Sequence, residues 1–412
     1  MRHDDHFASL RQLRAFDAVA RLESVSGAAK ELHLSQPAVT QAIGNLERQL
    51  GVALLERRRT GSYVTGPGAV LLPRVRRLLA HIQAALCDPL VGASFADRET
   101  VRSLEIKITG THIRSLIAVA DGGSFERAAR QLEISQPSLH RSARDLERVL
   151  RRTLYQRTVR GVAPTRQACE LARRLKVALR EIQYGIEEMQ AAQGVVTSRI
   201  TIGNIAHSDA HLLSAALNQL LALYPDAIVQ VLGGRYEALL DDLRGGALDF
   251  LFGVLRRPEW ASDVEEELLF SNPYAVVVRR GHPLARARKI TPRDLAAYDW
   301  ILPARGAPRR DAFEGIFAGS GYAPKVSIET TSAAIYRTIL ATSDRITLLS
   351  RLEAQFDDSA GRLITLPFDS AALSRQEGVA TRAGWEPTRI HREFLDLLRR
   401  QARDFQHSRP AA

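Results

Sequence analysis

The sequence predicts a multidomain chain: a duplicated helix-rich module, a long helix, and an α/β C-terminal half. Three observations predict it. First, "LSQPAVTQAIGNLERQLG" (34–51) returns as "ISQPSLHRSARDLERVLR" (134–151), at an offset of one hundred residues. Second, the formal charge of +11 is uneven. Residues 1–198 hold about 30 Lys+Arg and about 20 Asp+Glu, against about 27 and about 26 in residues 199–412. Third, the apolar pattern changes near Arg199, from helical spacing to strands alternating with helices.

Composition sets the bounds. At 412 residues the chain is too long for one ordinary domain. With 45% hydrophobic and 25% charged residues it reads as soluble and globular. No N-terminal stretch reads as a signal peptide and no apolar run reads as a membrane helix, so the expected compartment is the cytoplasm and no membrane partner is expected. Cys87 and Cys169, the only cysteines, suggest no disulfide framework, and no metal-ligand spacing emerges among 11 His. No acid–base pair or nucleophile constellation stands out, so neither catalytic residues nor a cofactor are expected. A basic half joined to a near-neutral one suggests a polyanion-binding part with a second part of different purpose.

The repeat is long. Between 13–50 and 113–150, about 15 of 38 ungapped pairs are identical. Its period is too large for a solenoid unit, so it reads as a duplicated domain. Each copy reads as three helices and a hairpin. In the first, Leu10, Leu13, Phe16 and Ala20 line one face of a helix over roughly 9–21. Ser24 can cap a short second helix whose Ala28, Ala29 and Leu32 permit close packing. Ser35 caps a third helix, with Pro37 in its first turn, where a missing N–H costs little. Val39, Ile43, Leu46 and Leu50 form its buried face, leaving Gln36, Ala38, Thr40 and Gln41 outward. Gly51 suits a left-handed C-cap, and "RRRTGSYVT" (57–65) reads as a β-hairpin carrying Arg57, Arg58 and Arg59. The second copy shows Ser135, Gln136, Pro137, Ser138, His140, Arg141 and Arg144 on its third helix, with Arg157 and Arg160 at its hairpin. It has Arg151 in place of Gly51, so its third helix is expected to end differently.

A short helix, a tight turn and a second helix with an exposed polar N-terminal end is the helix-turn-helix plan. The residue types suit double-stranded DNA. A helix N-terminus favours phosphate, Gln, Thr and Arg can hydrogen-bond base edges, and hairpin arginines can grip the backbone or minor groove. An ordinary helical bundle is the bland alternative, made weaker by two capped copies in the basic half.

Here "SVSGAAKELHLSQPAVTQAIGNLERQLGVALLERRRTGSYVTGPG" (24–68) and "SFERAARQLEISQPSLHRSARDLERVLRRTLYQRTVRGVAPT" (124–165) resemble the winged helix-turn-helix domain of the LysR-type transcriptional regulators. The family has one such domain per chain; this chain carries two. The resemblance implies a two-lobed, periplasmic-binding-protein-like effector domain, a linker helix that pairs two subunits, and control by a small molecule held between the lobes.

The expected boundaries follow. Copy one spans 1–68, a linker helix and connector 69–108, copy two 109–166, and a dimerisation linker helix 167–194. Leu171, Leu175, Ala178, Ile182 and Met189 keep near-heptad spacing in that last helix, predicting a homo-oligomer, dimer or tetramer; packing on its own chain's effector domain is the alternative. The connector's "LEIKITG" (104–110) reads as β-prone. The effector domain spans 199–412, lobe 1 over about 199–270 and 351–412 and lobe 2 over about 274–345. "RITIGNI" and "AIVQVLGG" read as strands of a largely parallel sheet. Candidate effector contacts are His207 and Ser208 after the first strand and Thr330, Thr331 and Ser332 before the helix "AAIYRTIL". Plain N-capping is the competing role for Ser208 and Thr331, and a satisfied loop position for His207. The expected function is a sequence-specific DNA-binding transcriptional regulator answering to an unidentified small molecule, and not an enzyme. A constitutive DNA-binding oligomer, or an enzyme or solute-binding domain with a DNA-binding appendage, are the rival readings.

Overall fold

A computed structural model describes residues 9–88, 104, 106–159, 161–194, 199–205, 210–256, 261–359, 361–369 and 373–407. Two compact units result. One holds 1–198 with Arg244–Gly246; the other holds Arg199–Leu243 and Ala247–Ala412.

The first unit contains the same five elements twice, each set followed by a longer helix. They are α1 (Leu10–Leu22), α2 (Val25–Glu31), α3 (Gln36–Leu50), the hairpin β1 (Leu55–Arg58) and β2 (Gly61–Val64), and α4 (Gly66–Cys87). The second set is α5 (Gly110–Gly122), α6 (Phe125–Gln131), α7 (Gln136–Leu150), β3 (Tyr155–Thr158), β4 (Gly161–Pro164) and α8 (Arg166–Ala192). The caps fall at repeat-equivalent positions. Ser24 and Ser124 cap α2 and α6, Ser35 and Ser135 cap α3 and α7, and Thr65 and Thr165 cap α4 and α8.

A second device recurs. The Glu47 carboxylate accepts from the backbone N–H of Leu54 and Leu55, at 2.8 and 3.0 Å. Glu147 does the same for Leu154 and Tyr155, at 2.8 and 3.1 Å. This latch ties each hairpin to the end of its third helix and accounts for the repeated Leu-Glu pair. Arg151 stands in the left-handed region at φ 52°, and its N–H bonds to the Glu47 equivalent, Glu147, as Gly51 bonds to Glu47. The third helices therefore end alike, which corrects the expectation drawn from Arg151. Positions 104, 106 and 107 are helical, not β-like, another correction.

The apolar stripe of α8 is not left for a second subunit. Ala168, Leu171, Leu175, Ala178, Ile182 and Met189 are buried within the chain, and α8 lies along α4, whose Leu71, Val75, Leu78, Ile82 and Leu86 are buried in the same core. The dimerisation role expected of residues 167–194 is thereby corrected: heptad-like spacing requires a partner helix, and α4 of the same chain is that partner.

In the second unit the elements are β5 (Arg199–Ile205), α9 (Ala210–Leu223), β6 (Ile228–Gly234), α10 (Tyr236–Arg244), β7 (Phe250–Val254), β8 (Val264–Arg279), α11 (Pro292–Ala296), β9 (Trp300–Leu302), α12 (Pro308–Phe317), β10 (Val326–Glu329), α13 (Ala333–Ala341), β11 (Thr347–Ser350), α14 (Arg351–Ser359), β12 (Leu363–Thr365), β13 (Ser374–Arg382) and α15 (Arg389–His407). The strand order is β11-β8-β13-β7-β5-β6, with β12 also on β8. Strand β5 runs parallel to β6 and β7, while β13, β11 and β12 pair antiparallel. The sheet is thus mixed where a largely parallel one was expected. The 16-residue β8 causes this: it pairs along its first part with β13 and along its last part with β11 and β12. Two groups of core clusters mark two lobes. Ile200, Phe250, Phe252 and Phe394 fill one; Val276, Trp300, Phe313 and Leu348 fill the other. Ala354 and Leu363 pack with Ala275 and Tyr336 of the second lobe, so the return to the first lobe lies after 369, not at 351.

Candidate functional site

The two third helices present the exposed residues that could face DNA. On α3, Gln36 and Gln41 are exposed and Ala38 and Thr40 half-buried. The Gln36 amide donates to Ser26 Oγ at 2.7 Å, and Arg57 on β1 donates to Thr40 Oγ1 at 3.2 Å, linking hairpin to helix. Arg58 and Arg59 are exposed; Arg58 pairs with Glu56 and lies 5.4 Å from the Tyr63 ring centroid. Ser35 Oγ accepts from Ala38 N–H at 3.4 Å, and Pro37 occupies the first turn, so both set the helix start.

On α7, Gln136, Pro137, Ser138, Arg141 and Arg144 are exposed. Ser135 Oγ accepts from Ser138 N–H at 3.3 Å and lies 2.8 Å from Ser138 Oγ. The His140 ring stacks on Phe125, centroids 4.1 Å apart and planes within 2°, which pins one ring face to the protein. A shallow concavity is lined by His140, Arg141, Arg144 and Arg148 together with His112 and Asp145, which meet at 3.1 Å. Arg157 is exposed on β3; Arg160 lies outside the described residues.

The second unit holds a cavity of about 410 Å³. Five arginines line it: Arg235, Arg256, Arg305, Arg309 and Arg375. So do Tyr236, Tyr274, Ile205, Val254 and Thr331. The loop 303–307 and the first residues of α12 complete the wall, which brings a helix N-terminus to the cavity. Arg375 and Arg309 are buried, at 4% and 3% exposure. Arg375 Nε donates to Glu377 at 2.7 Å, and Arg309 Nη2 donates to Glu353 at 3.0 Å. Burial lowers the Arg375 pKa, but Glu377, Tyr274 and Glu353 together outweigh it and hold the guanidinium above its ordinary value. Among the described residues, Arg375 Nη2 and Arg309 Nε have no hydrogen-bond partner, though Glu353 Oε2 lies 4.0 Å from Arg375 Nη2. Burial, and then the charge of Glu266, pushes the Tyr236 phenol up to about 12; burial also raises Tyr274. Both stay neutral hydroxyls near pH 7.

Of the expected effector contacts, Thr331 lines this cavity. Thr330 instead braces the loop: its N–H bonds to Leu302 O at 2.9 Å and its Oγ1 accepts from Ser332 N–H at 3.1 Å. Ser332 Oγ caps α13 through Ile335 N–H at 3.4 Å. His207 and Ser208 lie outside the described residues. The arginines were missed because they come from four separate stretches, and a single arginine on a strand or loop carries no spacing signal. Among the described residues no group of His, Cys, Asp and Glu could hold a metal ion, and no helix is long and apolar enough to cross a membrane.

Comparison with known proteins agrees with this arrangement. The sequence model of the bacterial regulatory helix-turn-helix protein, lysR family, matches residues 10–69 and again 111–168. The LysR substrate binding domain matches 193–403. The chain is 30% identical over 382 residues to the HTH-type transcriptional regulator GalR of Pseudomonas putida, covering 92% of this chain and 94% of that one. It is 28% identical to the HTH-type transcriptional regulator PcaQ of Agrobacterium fabrum, over 68% of this chain and 91% of that one. A full-length OxyR from Pseudomonas aeruginosa shares the fold, with a TM-score of 0.51 at 22% identity, over 70% of this chain and 97% of that one. The helix-and-hairpin unit, the two-lobed domain that follows it in the sequence and these matches agree: the chain belongs to the LysR family of transcriptional regulators.

Proposed function

We propose that the chain is a regulator that reads duplex DNA with both helix-turn-helix copies and answers to a small anionic effector. The single observation that carries the effector reading is the arginine-lined cavity. Its five arginines outnumber the one lining carboxylate, Glu237, together with Glu353 and Glu377, which pair with Arg309 and Arg375. Arg375 and Arg309 are buried with an unused donor each, and a buried donor without a partner costs about 1–3 kcal/mol. A carboxylate or phosphate oxygen would satisfy both, beside the N-terminus of α12. The aromatic and aliphatic walls suit a ligand with an apolar body.

The DNA reading rests on Gln36, Ala38, Thr40 and Gln41 of copy one, and on Gln136, Ser138, His140, Arg141 and Arg144 of copy two. Arg57, Arg58, Arg59, Arg157 and Arg160 serve as backbone contacts, and Ser35, Pro37, Ser135 and Pro137 as the capped helix starts. Such a protein works in the cytoplasm, where its DNA is. A homo-oligomer forms through the effector domain: β6 is an edge strand with Ile228 and Val231 exposed, near exposed Leu221 and Leu223 at the end of α9.

The test combines selection of duplex sites from random DNA with a screen of carboxylates and phosphate esters by thermal shift. The expected results are salt-dependent, sequence-selective binding and a raised melting temperature with an anion, lost in Arg375→Met. No duplex binding at moderate salt sinks the DNA reading. Stabilisation by neutral compounds alone sinks the anionic effector.

A further inference from the structure

The packing of α4 on α8 has the form of a twofold contact inside one chain. In an isologous interface, if residue i meets j, then the equivalent of j meets the equivalent of i. The repeat offset of one hundred makes this checkable. Arg74 donates to Glu188 at 2.6 and 2.9 Å, and Arg174, its equivalent, pairs with Asp88, the equivalent of Glu188, at 2.5 Å. A residue on the axis meets its own equivalent: His81 Nε2 lies 3.8 Å from Glu181 Oε1. The apolar rows correspond as well, Leu71 with Leu171, Val75 with Leu175 and Ile82 with Ile182, all buried.

The contact is also differentiated. Arg74, Arg77 and His81 of α4 converge on Glu181 of α8, with Arg74 at 3.0 Å and Arg77 at 3.1 Å. Glu181 is 2% exposed. Gly185 admits the partner helix: a Cβ there would lie 2.8 Å from Leu71 Cδ1 and 2.9 Å from Arg74 Cβ. The equivalent residue in α4 is Ala85. Two α8 helices paired in this geometry would set Glu181 against Glu181, two buried carboxylates with like charge. Two α4 helices would crowd Arg74, Arg77 and His81 without Glu181. Each helix fits the other copy's and rejects its own kind.

We propose that the two copies form a fixed, charge-matched pair of unlike reading heads within one chain, so that a single chain reads both halves of a bipartite, non-palindromic duplex site. The reading of DNA itself rests on the function proposed above; the pairing does not. In an ordinary symmetric dimer both heads are identical and the site is a palindrome. Here the heads differ, with Gln36, Thr40 and Gln41 on one and Gln136, His140, Arg141 and Arg144 on the other.

The pairing is tested in the full chain with Cys87 and Cys169 changed to Ser. His81→Cys with Glu181→Cys is treated with a short bis-maleimide, and each single-cysteine variant is treated alongside. The expected product of the double variant has the denatured mass of one chain, and the single variants give no two-chain product. Two-chain products from any variant overturn the proposal, as does the absence of a product in a double variant that melts like the parent. A measurement on the unaltered protein needs no folded variant: native mass spectrometry with hydroxyl-radical footprinting on a selected duplex. Two unlike protected segments per chain are expected; one segment per chain overturns the proposal. A one-chain cross-link in a protein that binds no duplex leaves the pairing standing and removes its use in DNA reading.

Discussion

Glu47 and Glu147 do the same work a hundred residues apart. Each carboxylate satisfies two backbone N–H groups where the third helix hands over to its hairpin. Truncation to Ala leaves those donors without their acceptor in a half-buried site. Glu47→Ala and Glu147→Ala are each expected to cost about 1–3 kcal/mol in a denaturant melt, with Gln milder because it keeps one acceptor oxygen. An unchanged midpoint would show that water replaces the latch. Arg151 supplies a second residue-scale test. It holds a left-handed backbone that costs a non-glycine residue about 1–2 kcal/mol. Arg151→Gly is expected to raise stability by about 1 kcal/mol, and Gly51→Arg to lower it comparably. Equal melts for parent and Arg151→Gly would mean that the arginine side chain offsets the strain. The capping serines were legible from the sequence, because a short polar residue before an apolar-periodic run has one common use. The latch was not, since a glutamate on a helix surface does not reveal which distant backbone it bonds.

At the scale of elements, periodicity located the helices of both copies, and the repeat offset aligned them. It could not choose the partner of α8. A near-heptad stripe on Leu171, Leu175 and Ile182 states that a helix covers it, and says nothing of which chain supplies that helix. Here α4 does, and Gly185 sets the distance. Gly185→Leu is expected to force α4 and α8 apart, lowering the melting temperature and weakening DNA binding at both halves of a site. Gly44, also within a helix, has nothing within 4 Å of where its Cβ would stand. Gly44→Ala should therefore stabilise by up to about 1 kcal/mol. If the two glycine changes act alike, close helix approach is not what Gly185 serves. The mixed sheet was missed for a related reason: strand content is written in alternation, whereas a 16-residue strand serving two lobes is a tertiary fact.

For the whole molecule, the order of the regulator's parts was legible in the sequence, with a basic half carrying the helix-turn-helix repeat and an α/β half after it. The arginine-lined cavity stayed hidden because its arginines converge only on folding, from the residue after β6 through to β13. The central claim is that two unlike heads read DNA together. The most direct measurement selects duplex sites from random DNA with the parent, with Gln41→Ala and with Arg141→Ala. Each lost base contact is worth roughly 1–3 kcal/mol, enough to erase a preference at one position. The expected outcome is a long, asymmetric parental site in which Gln41→Ala loses base preference in one half and Arg141→Ala in the other. A palindromic parental site, or an Arg141→Ala or Gln41→Ala variant that selects the parental site unchanged, would contradict it.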